Sequence, residues 1–176
     1  MKLKEVKYKA SKCSLCSLST SRKCTVFSRG TSSSIVVCGM APAKEEDATG
    51  EPFIGRSGKI LNKVLHETGI DPYITNLVKC FVPAKVKLEK EWIDSCKIYL
   101  FNQLDIIKPK VVIALGKDVS NTLCNNKVSL KSIRGKLIKA DNFYIMPTYH
   151  PSYLGRTKEA NIDVLIGDFN EAKSVL

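Results

Sequence analysis

The sequence has only two histidines and one tryptophan in 176 residues, and no apolar run approaches the ~18 residues that a transmembrane helix requires. The first ten residues are basic but lack the apolar stretch of a signal peptide. The seven cysteines are odd in number and unevenly spaced, which is not typical of a secreted disulfide framework. These absences predict no membrane span and a reducing compartment, where cysteines are buried or bind metal.

Acidic residues are also scarce, because 17 Asp and Glu stand against 28 Lys and Arg, for a formal charge of +11. A chain this basic favours polyanionic partners, of which nucleic acid is the commonest. With 44% hydrophobic residues, it can build a core without disulfides. We expect a single domain over residues 1–176, and a monomer.

Four short, nearly continuous apolar runs are typical of strands that are covered on both faces. They are Ile35–Cys38, Tyr73–Thr75, Val111–Leu115 and Phe143–Met146. Helical patterns lie between them: one helix capped by Ser57 and ended by Gly69, a longer one at Glu89–Ile107, and others near Asp118–Cys124 and Ala160–Val175. The alternation predicts a three-layer α/β/α sandwich with a central four-stranded parallel sheet.

Ligands of such sheets bind beyond the carboxyl ends of the strands. Gly39 and the segment after it follow the first predicted strand, Asn76 ends the second, and His150 follows the fourth. A carboxamide has both an acceptor and donors, so Asn76 is suited to recognise the edge of a base. Phe53, in a Gly- and Pro-rich loop, is suited to stack on one. The alternatives are a turn asparagine, a buried structural histidine and a core phenylalanine.

The cysteines offer a second candidate site. Cys13 and Cys16 form C-x-x-C, while Cys80 follows the second strand and Cys96 lies on the long helix. Four such thiolates hold either a four-iron cluster or zinc, and spacing alone does not choose between them. Cys24 is a rival fourth ligand. Cys38 and Cys124 are interpreted as small core residues.

Seven segments carry a family resemblance, which spans about Cys13 to Arg156. They are Cys13–Cys16 (CSLC), Val36–Asp47 (VVCGMAPAKEED), Gly50–Gly58 (GEPFIGRSG), Tyr73–Cys80 (YITNLVKC), Val111–Gly116 (VVIALG), Arg134-Gly135 and His150–Arg156 (HPSYLGR). In this order they resemble the family 4 uracil-DNA glycosylases of the uracil-DNA glycosylase superfamily.

The resemblance implies an enzyme that flips uracil out of DNA and hydrolyses its N-glycosidic bond. It implies a structural 4Fe-4S cluster on Cys13, Cys16, Cys80 and Cys96, which makes zinc the less favoured alternative. It also implies that Phe53 stacks on uracil, Asn76 recognises its edge and His150 bonds its O2. The loop that would bind the base through its backbone is Gly39, Met40, Ala41, Pro42 and Ala43.

Contacts to DNA follow from the same resemblance. Arg134, Lys136, Ser152 and Arg156 are candidates for phosphate binding, and Tyr153 and Leu154 for a wedge that fills the gap left by the flipped base. The expected partner is uracil-containing DNA, which fits a cytoplasmic, nucleoid-associated protein, or the host cell interior if the source is a virus. No replication or repair partner is identified.

Two departures from the family pattern bear on the mechanism. Family 4 usually has glutamate at the position of Met40 and glycine at that of Ala43, so the GMAPA motif is closer to family 5. An asparagine expected soon after Cys80 is absent as well. Glu46 and Asp47 remain as candidates to orient the attacking water. Two alternatives stay open: a catalytically weak or inactive glycosylase-fold protein that binds DNA or a partner, and a glycosylase for other deaminated or modified bases.

Overall fold

The computed structural model describes residues 2–31, 34–83, 86–157 and 160–176. Within these residues five strands form one sheet in the order β2-β1-β3-β5-β4. The elements in chain order are α1 (Leu3–Ser11), α2 (Leu18–Ser21), β1 (Ile35–Gly39), α3 (Lys44–Thr49), α4 (Arg56–Thr68), β2 (Tyr73–Asn76), α5 (Lys90–Ile107), β3 (Val111–Leu115), α6 (Lys117–Leu123), α7 (Leu130–Ile133), β4 (Ile138–Lys139), β5 (Tyr144–Thr148) and α8 (Ile162–Ala172).

The predicted parallel sheet is confirmed, and it has one strand more than expected. β2, β1, β3 and β5 are parallel, and the short β4 pairs antiparallel with β5 at the edge. β4 has only two residues, neither fully buried, so no apolar run marks it in the sequence. The helices before β1 and directly after it, α1 to α3, were not predicted.

Two cores lie on opposite faces of the sheet, because successive side chains of a strand point to opposite sides. In β1, Val36 and Cys38 pack into the core shared with α1 and α5. Ile35 and Val37 pack into the other core, beneath α4 and α8. This confirms the α/β/α arrangement. Among the described helices, none combines the length and apolar character needed to cross a membrane.

The start of α4 differs from the prediction that Ser57 caps it. The helix begins at Arg56, and its N-cap is Gly55, which provides no side-chain hydrogen bond. The Glu46 carboxylate instead accepts from the backbone N–H groups of Ile54 and Gly55 just before the helix. Glu46 therefore holds the segment that leads into α4, while the helix itself has no side-chain cap. The predicted end at Gly69 is correct, since this residue adopts the left-handed conformation of a C-cap.

The strand order changes direction between β1 and β3. From β1 the chain goes to β2 on one side, and it later returns to β3 on the other side of β1. In parallel sheets a crevice opens at such a switch point, beyond the carboxyl ends of the two strands. Here those ends are Gly39 and Leu115. The fold thus predicts where a ligand would bind.

Candidate functional site

Gly39, Phe53 and Asn76 meet at the carboxyl end of β1. Gly39 is directly opposite Asn76 in the register of β1 and β2. A β-carbon on residue 39 would stand 2.4 Å from both the Asn76 Oδ1 and the Phe53 Cζ. Residue 39 must be glycine because a side chain would collide with the Asn76 amide and the Phe53 ring, which both lie against its backbone.

Asn76 presents a carboxamide without a hydrogen-bond partner among the described residues, although the residue is only 2% exposed. Both amide atoms are accessible to solvent, because neither is among the side-chain atoms of the described chain that are fully buried and unpaired. Burying an amide without a partner is costly. The arrangement therefore keeps an acceptor and a donor ready for a ligand.

Phe53 lies in a loop whose backbone is tightly held. Phe53 itself is buried and has a φ of +57°, a left-handed conformation that is rare for a bulky residue. A β-carbon on Gly58 would stand 1.8 Å from the Phe53 carbonyl oxygen, so the loop packs against the first turn of α4. Strain of this kind persists only where neighbours enforce it, and it is concentrated at functional sites.

Glu46 is the neighbour that fixes this loop. Its Oε1 accepts from the N–H groups of Ile54 at 3.2 Å and Gly55 at 3.1 Å, while its Oε2 accepts from the Ala43 N–H at 3.2 Å. Asp47 is used in the same way, since both of its oxygens accept from the Lys23 N–H. Both carboxylates are buried and occupied by backbone donors. This geometry suits them to position loops rather than to orient a water molecule.

His150 lies near Phe53, with ring centroids 6.0 Å apart. Its Nδ1 accepts from the Ser152 backbone N–H at 3.1 Å. Burial lowers the His150 pKa to about 4, so the ring is neutral at pH 7. A neutral imidazole that accepts at Nδ1 carries its proton on Nε2. The structure thereby fixes the tautomer that can donate a hydrogen bond from Nε2.

A cavity of about 830 Å³ opens beside these groups, within the range of ligand sites. Met40, Ala41 and His150 line it, whereas Gly39, Phe53 and Asn76 are not among its lining residues. Sequence reasoning missed several further lining residues: Gly116, Lys117, Asp118, Ser129, Leu130 and Lys131. Gly116, Lys117 and Asp118 directly follow β3, so the rule that placed Asn76 and His150 at strand ends would have found them.

The six predicted DNA contacts divide into two groups. Ser152, Tyr153 and Arg156 line the cavity, and Arg156 lies over the Tyr153 ring at 5.7 Å. Ser152 already contacts His150, with its Oγ 2.8 Å from Nδ1. Leu154 is half-buried against the second core, which leaves Tyr153 as the more exposed member of the proposed wedge.

Arg134 and Lys136, like Leu154, lie outside the cavity lining. Arg134 forms an ion pair with the buried Asp168 at 2.7 Å and lies over the Tyr149 ring. Lys136 is exposed and donates to the Ser132 carbonyl. A guanidinium paired with a carboxylate attracts phosphate less, so Arg134 is better suited to hold the segment around β5 than to bind DNA.

The four predicted cysteine ligands come from three separated segments and influence one another. Burial raises the Cys96 pKa to about 11, and the thiols of Cys80 and Cys13 contribute smaller upward effects. The Cys80 pKa is likewise raised mainly by burial, with smaller contributions from Cys16 and Cys13. Cys80 and Cys96 belong to the core shared with α1 and α5, and Cys13 and Cys16 pack against that core, so the four side chains share one region of the molecule.

Donors surround these sulfurs. The Lys79 backbone N–H donates to the Cys96 Sγ at 3.2 Å, and Arg22 Nη1 donates to the Cys80 Sγ at 3.3 Å. Cys24 is elsewhere, since its thiol donates to the Asp47 carbonyl. In the part of the chain that the structure describes, no three His, Cys, Asp or Glu side chains are spaced to hold a single metal ion.

The sequence matches the family model described as "Uracil DNA glycosylase superfamily" over residues 27–172. The chain belongs to the uracil-DNA glycosylase superfamily. Within it, the chain is 36% identical to the Type-4 uracil-DNA glycosylase of Thermotoga maritima, over 97% of this chain and 93% of that protein. It is 37% identical to the Type-4 enzyme of Saccharolobus solfataricus, over 80% of this chain and 71% of that protein.

A Type-5 uracil-DNA glycosylase of Pyrobaculum aerophilum is also similar, at 29% identity over 68% of this chain and 62% of that protein. The superfamily assignment made from motifs is therefore confirmed, with Type-4 relatives at higher identity and a weaker Type-5 likeness. The site of this superfamily member combines an unpartnered amide, a positioned ring and a neutral imidazole beside a cavity at the switch point of the sheet.

Proposed function

We propose that this protein is a uracil-DNA glycosylase, a hydrolase that removes uracil from DNA and leaves an abasic site. The observation that carries the proposal is the buried, unpartnered Asn76 amide, which lies against Gly39 and Phe53 at the switch point. The Type-4 relatives, which carry this name, support it.

The base is selected by hydrogen-bond pattern. Uracil offers an N3–H donor beside an O4 acceptor, and the Asn76 carboxamide offers the complementary acceptor and donor. Cytosine offers the reverse pattern and would leave buried polar groups unpaired, which strongly disfavours it. The Phe53 ring supplies a stacking surface for the same base. A base in a duplex must first be extruded, at a cost of a few kcal/mol.

The bond that breaks joins uracil N1 to the sugar C1′, and its electrons leave with the base. Negative charge then develops on uracil O2, and the His150 Nε2–H is suited to donate to it. A single preorganised donor of this kind typically contributes ~10²–10³ in rate. The sugar cation reacts with water, whose proton is released to solvent. Since Glu46 and Asp47 are occupied, we propose that leaving-group stabilisation, not a carboxylate base, provides most of the acceleration.

Affinity for DNA comes from the cationic residues around the cavity. Lys117, Lys131 and Arg156 line it, and the chain as a whole carries a formal charge of +11. Neutralising phosphates with such residues releases counterions, so binding weakens as salt rises. Ser152 is proposed to support His150 in place of the phosphate role expected from its sequence position.

We propose that Cys13, Cys16, Cys80 and Cys96 hold a 4Fe-4S cluster. The donor set fits, because four thiols share one region and N–H groups already point at two of the sulfurs. A zinc ion needs all its ligands within ~2.3 Å of one point, whereas a cluster binds each cysteine through a different iron. The resemblance carried by the motifs implies the cluster, with zinc as the alternative. When bound, the cluster would cross-link the segment between α1 and α2 to the loop after β2 and to α5.

The test is cleavage of a DNA strand that contains one uracil, followed by alkali, which breaks the strand at an abasic site. Wild type should cleave it, and Asn76→Ala and His150→Ala should each be slower by ~10²-fold or more. His66→Ala and Asn126→Ala alter exposed residues of the same types and should match wild type. Intact strands with cluster-loaded wild type would refute the proposal. Tight DNA binding without cleavage would then favour a non-catalytic glycosylase-fold protein.

A further inference from the structure

Lys79 is a buried cation that the proposed reaction does not use. It is 1% exposed, although a lysine is rarely buried without strong reason. Its ammonium donates to three acceptors: the Asn76 carbonyl at 2.6 Å, the Thr75 Oγ1 at 2.7 Å and the Gln103 Oε1 at 2.5 Å. All three of its protons are therefore satisfied.

The acceptors are themselves fixed by a buried network. The Thr75 hydroxyl donates to the Phe27 carbonyl at 2.7 Å. The Gln103 amide donates to the Tyr73 hydroxyl at 2.8 Å and to the Phe27 carbonyl at 3.3 Å. A fully satisfied network of this kind in a low-dielectric interior is rigid. Lys79 is thus held by α5 and β2 together.

The same residue contacts both candidate sites. Through its side chain it holds the carbonyl of Asn76, at the point where β2 ends. Through its backbone N–H it bonds the Cys96 sulfur, and Cys80 is its chain neighbour. One residue therefore spans the distance between the base-recognition amide and two of the cysteines.

We propose that Lys79 is a positioning residue that couples the cysteine site to Asn76, an inference that rests on the proposed function. Its ammonium fixes the Asn76 peptide, and thereby the aim of the carboxamide that recognises uracil. The same positive charge offsets the negative charge of the neighbouring thiolates when they bind iron. The β2 end and the cysteine site are then one mechanical unit.

The test is a double-mutant cycle of Lys79→Met and Asn76→Ala, measured as single-turnover cleavage of uracil DNA. Lys79→Met should slow cleavage by ~10²-fold, the usual cost of a misplaced group. If Lys79 acts through Asn76, the double variant should be no more than about threefold slower than Asn76→Ala alone, because coupled changes are non-additive. A further ~10²-fold loss in the double variant would overturn the coupling and leave Lys79 a purely structural residue. Lys63→Met, an exposed lysine on α4, is the matched control.

The cysteine half of the proposal has its own readout, the bleaching of the visible cluster absorbance by an iron chelator. Lys79→Met should bleach several-fold faster than wild type, whereas Asn76→Ala and Lys63→Met should not. Equal bleaching rates for Lys79→Met and wild type would overturn the charge-compensation role.

If Lys79→Met does not fold, Thr75→Val is the alternative test. It removes one acceptor of the Lys79 ammonium but keeps the side-chain volume at position 75 and the charge of Lys79. We expect it to slow cleavage by ~10-fold and to be non-additive with Asn76→Ala. Additive effects would again refute the coupling. Failure of wild type to cleave uracil DNA would refute the proposed function instead, so the two failures are distinguishable.

Discussion

The base pocket and the cysteine site satisfy their polar groups in opposite ways. Around the cysteines, backbone and guanidinium N–H groups already donate to Cys96 and Cys80. In the base pocket, the Asn76 amide has no hydrogen-bond partner in the described chain and lies against Gly39 and Phe53. Groups that are satisfied internally hold a structure together, whereas a polar group without an internal partner is available to a ligand. The contrast distinguishes the proposed structural site from the proposed recognition site.

The largest effect is expected from breaking the cysteine site. Cys96→Ser should abolish the visible cluster absorbance and lower Tm by on the order of 10 °C, because metal binding is linked to folding free energy. Cys124→Ser alters a half-buried cysteine outside the proposed ligand set and should stay within about 3 °C of wild type. Retained iron in Cys96→Ser together with lost iron in Cys24→Ser would show that the rival ligand is the correct one.

The next effect tests how closely the base pocket is packed. Gly39→Ala places a β-carbon 2.4 Å from the Asn76 and Phe53 side chains, so both must move. We expect cleavage to fall by ~10²–10³-fold, with the iron content unchanged. Gly167→Ala, on α8, meets no atom within 4 Å and is the control. Wild-type rates in Gly39→Ala would mean that the amide and ring need not meet there.

Loosening the Phe53 loop should have a smaller effect. Glu46→Gln keeps the shape but weakens three charge-assisted hydrogen bonds to the loop backbone. We expect ~10-fold lower kcat/KM for uracil DNA, with affinity for uracil-free DNA unchanged. Glu45→Gln changes the exposed neighbour and should be silent. If Glu46 instead orients the attacking water, Glu46→Gln should lower kcat, and a protease should cut the Phe53 loop no faster than in wild type.

The smallest effect concerns pH. The His150 pKa is lowered by burial to about 4, below its ordinary value of ~6.5, so folding favours the neutral ring. This contribution to stability is complete above pH ~6.5 and is lost as pH falls through about 4. When the pH is lowered from 6.5 to 4, the Tm of His150→Asn should therefore fall less than that of wild type. Asp118→Asn is the control, because it removes the titratable carboxylate that lines the same cavity. If the Tm of His150→Asn and that of wild type changed equally with pH, the lowered pKa of His150 would be contradicted.

Patterns along the chain predicted much of the site, and the misses share a cause. Gly39, Asn76 and His150 could be predicted as site residues because parallel strands carry their ends to one edge, and Gly39 and Asn76 are indeed opposite each other in the register. Glu46 was interpreted as a candidate to orient water, since its sequence position gives no sign that Ile54 and Gly55 occupy its oxygens. Lys79 stands out only in three dimensions, because a lysine beside a cysteine in a sequence is normally expected at the surface.

The sequence by itself determined the α/β alternation, the superfamily and the residue types of both sites, because strand periodicity and ordered motifs are local properties of the chain. Only the tertiary structure decided which polar atoms are satisfied. It paired Arg134 with Asp168, turned Glu46 toward a loop and left the Asn76 amide open. Hydrogen-bond partners far apart along the chain are brought together by packing, and no local pattern encodes them.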